Sequence, residues 1–582
     1  MSLSKVMNTQ NNTNTAFSDY PGNSQQNNIQ QIIELFRRNL RESNLTVNMQ
    51  IDLANTLLNE DNGHLTREQL DMGNYCLQKA HELARYDADI LNNYIMINNA
   101  QQQHGNHPVL KSRLSFLKNH SKPDGKVKLG IQYLRKNNYE KANHYFQQSG
   151  PINPQDIETI SLLTEFHTQS GNPAEALNLF AQAEPSYRPQ NPFYSWFWGR
   201  YGQTAYLSGD YQKTEWCLEK TLISTTPVFI NLLAELKLRT GQAEEAIKLW
   251  EQSLRQDSLQ PILYLKMHDV LNNYHTLKEE QLNNYNINTL LYTFNKHDMF
   301  KATIDGLAKT DIGNARILLL DNNCIDGTRE FMQTAQNLFP NNPVKVINLP
   351  TNIGAPAARN WLMKQPENDD TDFIAYLDDD VILPRDWLKR LVGTMNAHPQ
   401  AGVVGTKVVN QGNPKTIQYI YRYLDIITEN RLGFSSKHLD EPDFGQFDVI
   451  RKCLSVMGCC HLFRTKCLND VGEFDIRFSP SQVDDIDHDF LTCLKKYEII
   501  YNGYIEVVHC QKAGKSAFVN RAAMGNIMGN DHKFAMKHET DEMLKLKAQT
   551  EEQDKLDIKH KINDLKTNGY LKNIPEVPFD VI

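Results

Sequence analysis

The sequence predicts two structural classes in one chain: an α-helical repeat solenoid over residues 31–280, then an α/β domain with a mostly parallel sheet over 286–540. Two observations carry this. Between 31 and about 280 the apolar residues keep helical spacing, and a helical-hairpin unit recurs there, Ala142 and Phe146 returning as Ala176 and Phe180 after 34 residues. From 286 onward short β-rich runs (NTLLYTF, ARILLL, VKVIN, FIAYL and AGVVGTKVV) alternate with helical stretches, which is the pattern of βαβ units. Residues 1–30 are rich in Asn, Gln and Ser and carry too few large apolar groups to offset ordering entropy, so disorder is expected. Residues 541–582 are highly charged with sparse apolar positions and predict a solvated C-terminal helical tail.

Composition narrows the function classes. A net charge of −8 over 67 kDa argues against a dedicated nucleic-acid binder, and 40% hydrophobic residues suffice for large cores. No run of about 18 apolar residues occurs, so no transmembrane segment is expected. The start, MSLSKVMNTQNNTNTAF, lacks the apolar stretch of a secretory signal. Nine cysteines without a regular framework suit a reducing, cytoplasmic location. Cys459-Cys460-His461 lacks C-x-x-C spacing and lies in the apolar run VMGCCHLF, so it reads as buried core rather than a metal site.

In the helical half, LGIQYLRKNNYEKANHYFQQSGPINP puts Leu129, Gly130, Tyr133, Ala142, Phe146 and Pro154 at the spacings of a tetratricopeptide repeat. The units beginning at Ser161, Tyr201 and Asn231 keep the small and large slots as Ala176/Phe180, Thr214/Leu218 and Ala246/Trp250. Small residues let the two helices of a hairpin approach, and aromatics fill the space between hairpins. Such a solenoid presents a concave surface for docking a peptide or protein. The plainer alternative is a generic helical bundle.

In open α/β sheets ligands bind beyond the carboxyl ends of the strands. Here each such end carries polar groups. Asn295 follows NTLLYTF, and DNNCIDGT, from Asp321 to Thr328, follows ARILLL. NIGAPAARN, with Asn352, Gly354 and Arg359, comes after VKVIN, and Asp378-Asp379-Asp380 comes after FIAYL. Singly these have bland explanations, Asp326 as a helix cap and Asn352-Ile353-Gly354 as a turn. Four successive strand ends point to one shared ligand site.

The ordered stretches TFN, LLLDNNCIDGT, NIGAPAARN and YLDDDVILPRDWL resemble a family 2-type nucleotide-sugar glycosyltransferase with the Rossmann-like GT-A fold, over roughly residues 286–515. The resemblance implies that Thr293, Asn295 and Asp321, with Asn323 and Asp326, hold the base and ribose of the donor. It places Asn352, Gly354 and Arg359 beside the nucleotide. The acidic triplet matches the family's DxD motif, with Asp380 as direct metal ligand, Asp378 on ribose or metal, and Asp379 between them near the sugar. Carboxylate oxygens suit a hard divalent cation, Mn²⁺ or Mg²⁺, which neutralises the diphosphate leaving group. Asp484-Asp485, in EFDIRFSPSQVDDIDHDF, matches the ED-type motif with Asp485 as general base, although Glu is more usual at 484. Asp487 and Asp489 crowd the motif and leave the base open by two residues, and capping of the following helix is the structural alternative. Gly458 matches the strand under the donor sugar. His509 matches a histidine that completes the metal shell, with Lys512 and Lys515 as diphosphate contacts.

The expected activity is a hexosyltransferase-type reaction from a nucleotide-diphosphate sugar, UDP-sugar favoured, by inverting single displacement. The repeats would dock the acceptor, a polypeptide such as flagellin or a glycan. Three other readings stay open at this point: a transferase acting on lipid-linked or surface polysaccharide, a haloacid-dehalogenase-like phosphatase with Asp378 as nucleophile, and a non-catalytic scaffold.

Overall fold

Close approach of helices organises the N-terminal half of the protein. The computed structural model describes residues 25–41, 47–58, 66–100, 108–121, 123–135, 138–150, 152–221, 226–274, 282–428, 431–435, 438–511 and 521–576. Thirteen helices come first among these: α1 (Gln25–Arg41), α2 (Val47–Leu57), α3 (Arg67–Leu83), α4 (Ala88–Ala100), α5 (Pro108–His120), α6 (Gly125–Arg135), α7 (Tyr139–Gln147), α8 (Ile157–Gln169), α9 (Pro173–Ala183), α10 (Tyr194–Leu207), α11 (Tyr211–Glu219), α12 (Pro227–Arg239) and α13 (Ala243–Gln256). Helices α6 and α7, α8 and α9, α10 and α11, and α12 and α13 pack as sequence-adjacent pairs. Gly130 on α6 lies against Phe146 of α7 so closely that a Cβ would come within 2.3 Å of its ring, and Gly202 on α10 leaves only 2.9 Å to Leu218 of α11. Ala142, Ala176 and Ala246 are fully buried, as is Thr214, while Phe180, Trp250 and Leu218 fill the core beside them. Side chains cap several starts: Thr66 and Gln69 form a capping box on α3, and Asn138, Asp156 and Asp210 accept amides of α7, α8 and α11.

Helix α1 corrects the expectation of disorder over 25–30. Ile32, Ile33, Phe36 and Leu40 are buried against Leu53, Leu57 and Leu77, and residues 25–30 are the N-terminal extension of that amphipathic helix. Residues 1–24, the rest of the stretch expected to be disordered, lie outside the described residues, as do Lys512 and Lys515.

The chain divides into two compact units, one comprising 1–261 with 569–582 and the other 262–568. Helix α14 (Pro261–Leu271), which by sequence closes the helical half, packs within the second unit. Lys266 Nζ donates to the Gly445 carbonyl at 2.6 Å, and Asp269 accepts the Ile450 amide at 2.7 Å. In the first unit the Leu571 amide donates to Glu251 Oε1 at 3.1 Å.

The second unit is built on twelve strands: β1 (Ile287–Thr293), β2 (Arg316–Asp321), β3 (Val344–Asn348), β4 (Phe373–Leu377), β5 (Val381–Ile382), β6 (Ala401–Asn410), β7 (Thr416–Tyr419), β8 (Tyr423–Thr428), β9 (Arg431–Ser435), β10 (Ile450–Cys453), β11 (Cys460–Arg464) and β12 (Glu498–His509). Its helices continue as α15 (His297–Leu307), α16 (Thr328–Thr334), α17 (Ala355–Met363), α18 (Trp387–Ala397), α19 (Thr465–Val471), α20 (Asp484–Leu494), α21 (Arg521–Lys537) and α22 (Thr540–Thr567). The main sheet runs β10-β12-β6-β11-β4-β1-β2-β3, with β5 on β12 and β7 on β6, while β8 and β9 form a separate ribbon.

This sheet is mixed, which corrects the expectation of a mostly parallel one. Strands β4, β1, β2 and β3 pair in parallel, but β11 inserts antiparallel between β4 and β6, and β10, β5 and β7 also pair antiparallel. A fully buried strand is a continuous apolar run in either direction, so its sequence carries no mark of polarity. Ile287, Leu291, Ile317, Leu319, Ala375, Leu377 and Leu462 form the core with Phe300, Ile304, Trp387 and Leu391. Cys459 and Cys460 are buried in that core.

The register aligns the strand ends. Thr293 pairs Asp321, Asp321 pairs Asn348, and Leu291 pairs Leu377, so the acid triplet emerges beside Thr293. Val381 pairs His509, which brings the end of β12 back to the triplet.

The expected solvated tail is also corrected. Met543, Leu546, Ile558, Ile562 and Leu565 of α22 are buried, and Asp554 accepts two hydrogen bonds from the buried Arg451 at 2.7 and 2.8 Å. Leu544 and Leu556 of the same helix remain exposed, so only part of its apolar set is packed. Among the described residues no helix is long and apolar enough to cross a membrane.

Candidate active site at the carboxyl edge of the sheet

The triplet leaves β4 and turns into β5, and the backbone pins it at both ends. The Asp378 amide donates to the Cys459 carbonyl at 2.9 Å, and the Asp380 carbonyl accepts the Cys510 amide at 2.8 Å. Asp380 is 1% exposed, with Oδ2 at 2.9 Å from Lys296 Nζ and Oδ1 at 2.9 Å from His509 Nε2. Asp379 accepts from Thr293 Oγ1 at 2.6 Å and from Lys296 Nζ at 2.9 Å. Asp378 Oδ1 faces Tyr292 Oη at 3.4 Å and Arg359 Nη2 at 3.5 Å.

Three adjacent acids in different surroundings hold protons differently. Burial raises the Asp378 carboxyl to about 6, partly offset by Arg359. Asp379 is raised as well, burial outweighing Lys296. At Asp380 the effect of burial is overcome by His509 and Lys296, which hold the carboxyl at about 2. Burial would lower His509, but Asp380 outweighs it and raises the imidazole above its ordinary value.

Gln418 orients His509. Its Nε2 donates to Asn410 Oδ1 and to the Gln511 carbonyl, both at 2.9 Å, which leaves Oε1 to accept from His509 Nδ1 at 2.6 Å. Nδ1 therefore carries hydrogen, and Nε2 is the nitrogen turned to Asp380. Asp378, Asp380 and His509 each offer one ligand atom, and these atoms lie within 4.8 Å of one another. Two carboxylates and one oriented imidazole fit Mn²⁺ or Mg²⁺.

A second constellation adjoins the first. Arg359, buried on α17, reaches Asp484 Oδ2 at 2.5 Å and the Gly458 carbonyl at 3.3 Å. Gly458 donates its amide to Asp485 Oδ2 at 3.0 Å. A Cβ at Gly458 would stand 2.9 Å from Asp485 Cβ and 3.1 Å from Arg359 Nη2, so only glycine fits between them. Arg422 is 4% exposed and brings Nη1 to 3.5 Å from Asp485 Oδ2. Its guanidinium lies 4.5 Å from the centre of the Tyr419 ring, and its Nε and Nη1 have no hydrogen-bond partner among the described residues. The neighbouring acids are engaged elsewhere: Asp487 with Lys537 and His538, both at 2.7 Å, and Asp489 with the Val456 amide at 3.0 Å.

The remaining residues singled out by sequence shape the loops at the same edge. Asp321 is fully buried, accepting the Cys324 amide at 2.7 Å and Arg329 Nε at 2.5 Å. Asn295, with φ of 51°, accepts the Ile325 amide at 2.9 Å, and Asn323 also takes a left-handed backbone with φ of 68°. Asp326 accepts the His297 amide at 2.9 Å and the Thr328 hydroxyl at 2.6 Å, while the N-cap position of α16 itself is Gly327. Asn352 accepts from Asn322 Nδ2 and from the Gly354 amide, both at 2.9 Å, and Gly354 opens α17 with φ of 78°. Sequence reasoning missed Lys296, Arg422 and Gln418. Lys296 directly follows the TFN stretch and was discoverable as a cation next to a strand end. Arg422 and Gln418 sit in a segment with no motif.

Several solved structures are similar to part of the chain. GalNAc-T7 with UDP, GalNAc and Mn²⁺ aligns at 11% identity and TM-score 0.35, over 43% of this chain and 48% of its own. S. aureus TarS aligns at 17% and 0.29, over 41% and 39%. The mannosyltransferase PcManGT from Pyrobaculum calidifontis, in complex with GDP-Man and Mn²⁺, aligns at 13% and 0.33, over 57% and 89%. The chain thus spans less than half the length of the first two. A search of curated proteins returned no match to this sequence. Residues 290–472 match the family described as Glycosyl transferase family 2, a stretch that holds the site from Thr293 to Gly458 and stops short of Asp485 and His509, so the chain carries a glycosyl transferase family 2 domain there.

Proposed function

We propose that the protein is a divalent-cation-dependent glycosyltransferase that moves a sugar from a nucleoside-diphosphate donor, UDP-sugar favoured, to an acceptor by single displacement with inversion. The observation that carries the reading is the convergence of Asp378, Asp380 and His509 within 4.8 Å beside an aspartate, Asp485, held by the Gly458 amide. Asp378, Asp380 and His509 Nε2 would hold the cation, whose chemistry there is to neutralise charge developing on the diphosphate. Arg359 fixes Asp484 and Asp378 relative to each other. Asp485 keeps a carboxylate oxygen in place on a backbone amide and takes the proton of the acceptor nucleophile as general base. Asp487 and Asp489, tied to other partners, fit that role less well.

The helical hairpins, read as tetratricopeptide-like repeats, would recruit the acceptor, a polypeptide first and a glycan second. The test is a panel of nucleotide sugars assayed by mass spectrometry for Mn²⁺-stimulated hydrolysis and for transfer into cell lysate. Asp380→Ala and Asp485→Asn are each expected to lower transfer by about 10³-fold while the circular dichroism and melting temperature stay near wild type. Full transfer by both variants would remove the mechanism.

A further inference from the structure

Lys296 stands at the start of α15, on the loop that leaves β1. Its ammonium lies 2.9 Å from Asp379 Oδ1, 2.9 Å from Asp380 Oδ2 and 3.3 Å from Gln511 Oε1. The side chain is 35% exposed, whereas those of Asp379 and Asp380 are 9% and 1% exposed. Three consecutive carboxylates at the end of a buried strand repel one another and are poorly solvated. One ammonium on two of them relieves part of that repulsion. With His509 Nε2 at 2.9 Å from Oδ1 and Lys296 Nζ at 2.9 Å from Oδ2, both oxygens of Asp380 already face a nitrogen.

Lysine is a compact charge on a flexible four-carbon stem, and this one is open to solvent on one side, so it can turn away without unpacking the core. One of its two carboxylate partners, Asp380, belongs to the cation site and the other, Asp379, is its neighbour, so a divalent ion there would be repelled by the ammonium. A nucleoside diphosphate would offer the ammonium a new set of anionic oxygens.

We propose that Lys296 is a tethered counter-cation of the acid triplet, which opposes loading of a free divalent cation and passes to the diphosphate when donor and cation enter together. This rests on the reading of the site as a cation and diphosphate site. Its consequence is thermodynamic: nucleotide should tighten cation binding more in the wild type than in a protein without the ammonium, and by reciprocity cation should tighten nucleotide binding by the same factor.

The experiment is a titration of the full chain with Mn²⁺, free ion being counted by electron paramagnetic resonance, with and without saturating UDP. The proteins are wild type, Lys296→Gln, Lys296→Met and Lys296→Arg, each checked for an unchanged melting profile. Without UDP the Gln and Met variants are expected to bind Mn²⁺ about tenfold more tightly than wild type, and UDP should then add correspondingly less. The Arg variant, which keeps the charge, is expected within about threefold of wild type. Equal or weaker Mn²⁺ binding by the folded neutral variants overturns the inference and leaves the cation site standing. Absence of Mn²⁺ binding in every protein, with or without UDP, overturns both.

Discussion

Gly458 joins the two halves of the site through a single residue. Its amide holds Asp485, its carbonyl meets Arg359, and the carbonyl of the next residue, Cys459, accepts the Asp378 amide. Gly458→Ala introduces a methyl group 2.9 Å from Asp485 Cβ, so the carboxylate or the strand must shift. Small displacements of a reacting group cost about 10²-fold in rate, and kcat of Gly458→Ala is expected to fall by roughly that factor with KM for the donor little changed. A kinetic comparison at saturating Mn²⁺ checks this, and a wild-type kcat would show that Asp485 does not need this placement. Arg422 is a different kind of residue, a buried cation whose one carboxylate neighbour within 4 Å among the described residues is Asp485, at 3.5 Å. Its role follows from where the chain brings it, since nothing in the surrounding sequence marks it.

Helix α20 concentrates four acids in its first two turns and uses each differently. Asp484 pairs with Arg359, Asp485 with the Gly458 amide, Asp487 with Lys537 and His538, and Asp489 with the Val456 amide. The helix dipole favours carboxylates at this end, but these partners, rather than the dipole, determine where each one points. Burial raises Asp489 to about 8, with the Val456 amide working against it and Asp485 adding to it. An unfolded carboxyl near 3.8 loses its proton first, so the contribution of Asp489 to stability is full below that value and is lost as pH rises towards about 8. Asp489→Asn removes this titration. In urea denaturation between roughly pH 5 and pH 9, the wild-type midpoint is expected to drop relative to the variant as pH rises. Parallel curves would mean that Asp489 stays charged in the native protein.

Over the whole molecule, the helical unit and the α/β unit each have their own core. The sheet, its covering helices and the loops that join them supply the cluster from Leu282 to Val507, and α14 and α22 complete that unit. Residues 262–568, produced alone, are expected to melt cooperatively and to keep Mn²⁺-stimulated donor hydrolysis while transfer to acceptor falls at least about tenfold. Calorimetry with paired hydrolysis and transfer assays tests this. Undiminished transfer by residues 262–568 would remove the recruiting role from the helical unit.

The sequence by itself determined the division into helical pairs and an α/β domain, because apolar periodicity is local and directly written in the chain. It also marked the acid triplet, which follows a recognisable apolar strand, while Asp485 and His509 were singled out through the family resemblance. Strand direction in the buried sheet was invisible, as an apolar run reads alike both ways, and β11 inserted antiparallel. The packing of α22 was hidden by its charge, because the five apolar residues it buries are scattered among many charged ones. Only the tertiary structure decided that Lys296 sits on Asp379 and Asp380, that Arg422 faces Asp485, and that Asp487 is taken up by Lys537 and His538. Those contacts join residues between 50 and 84 positions apart, and no short-range pattern records a meeting that only the folded sheet brings about.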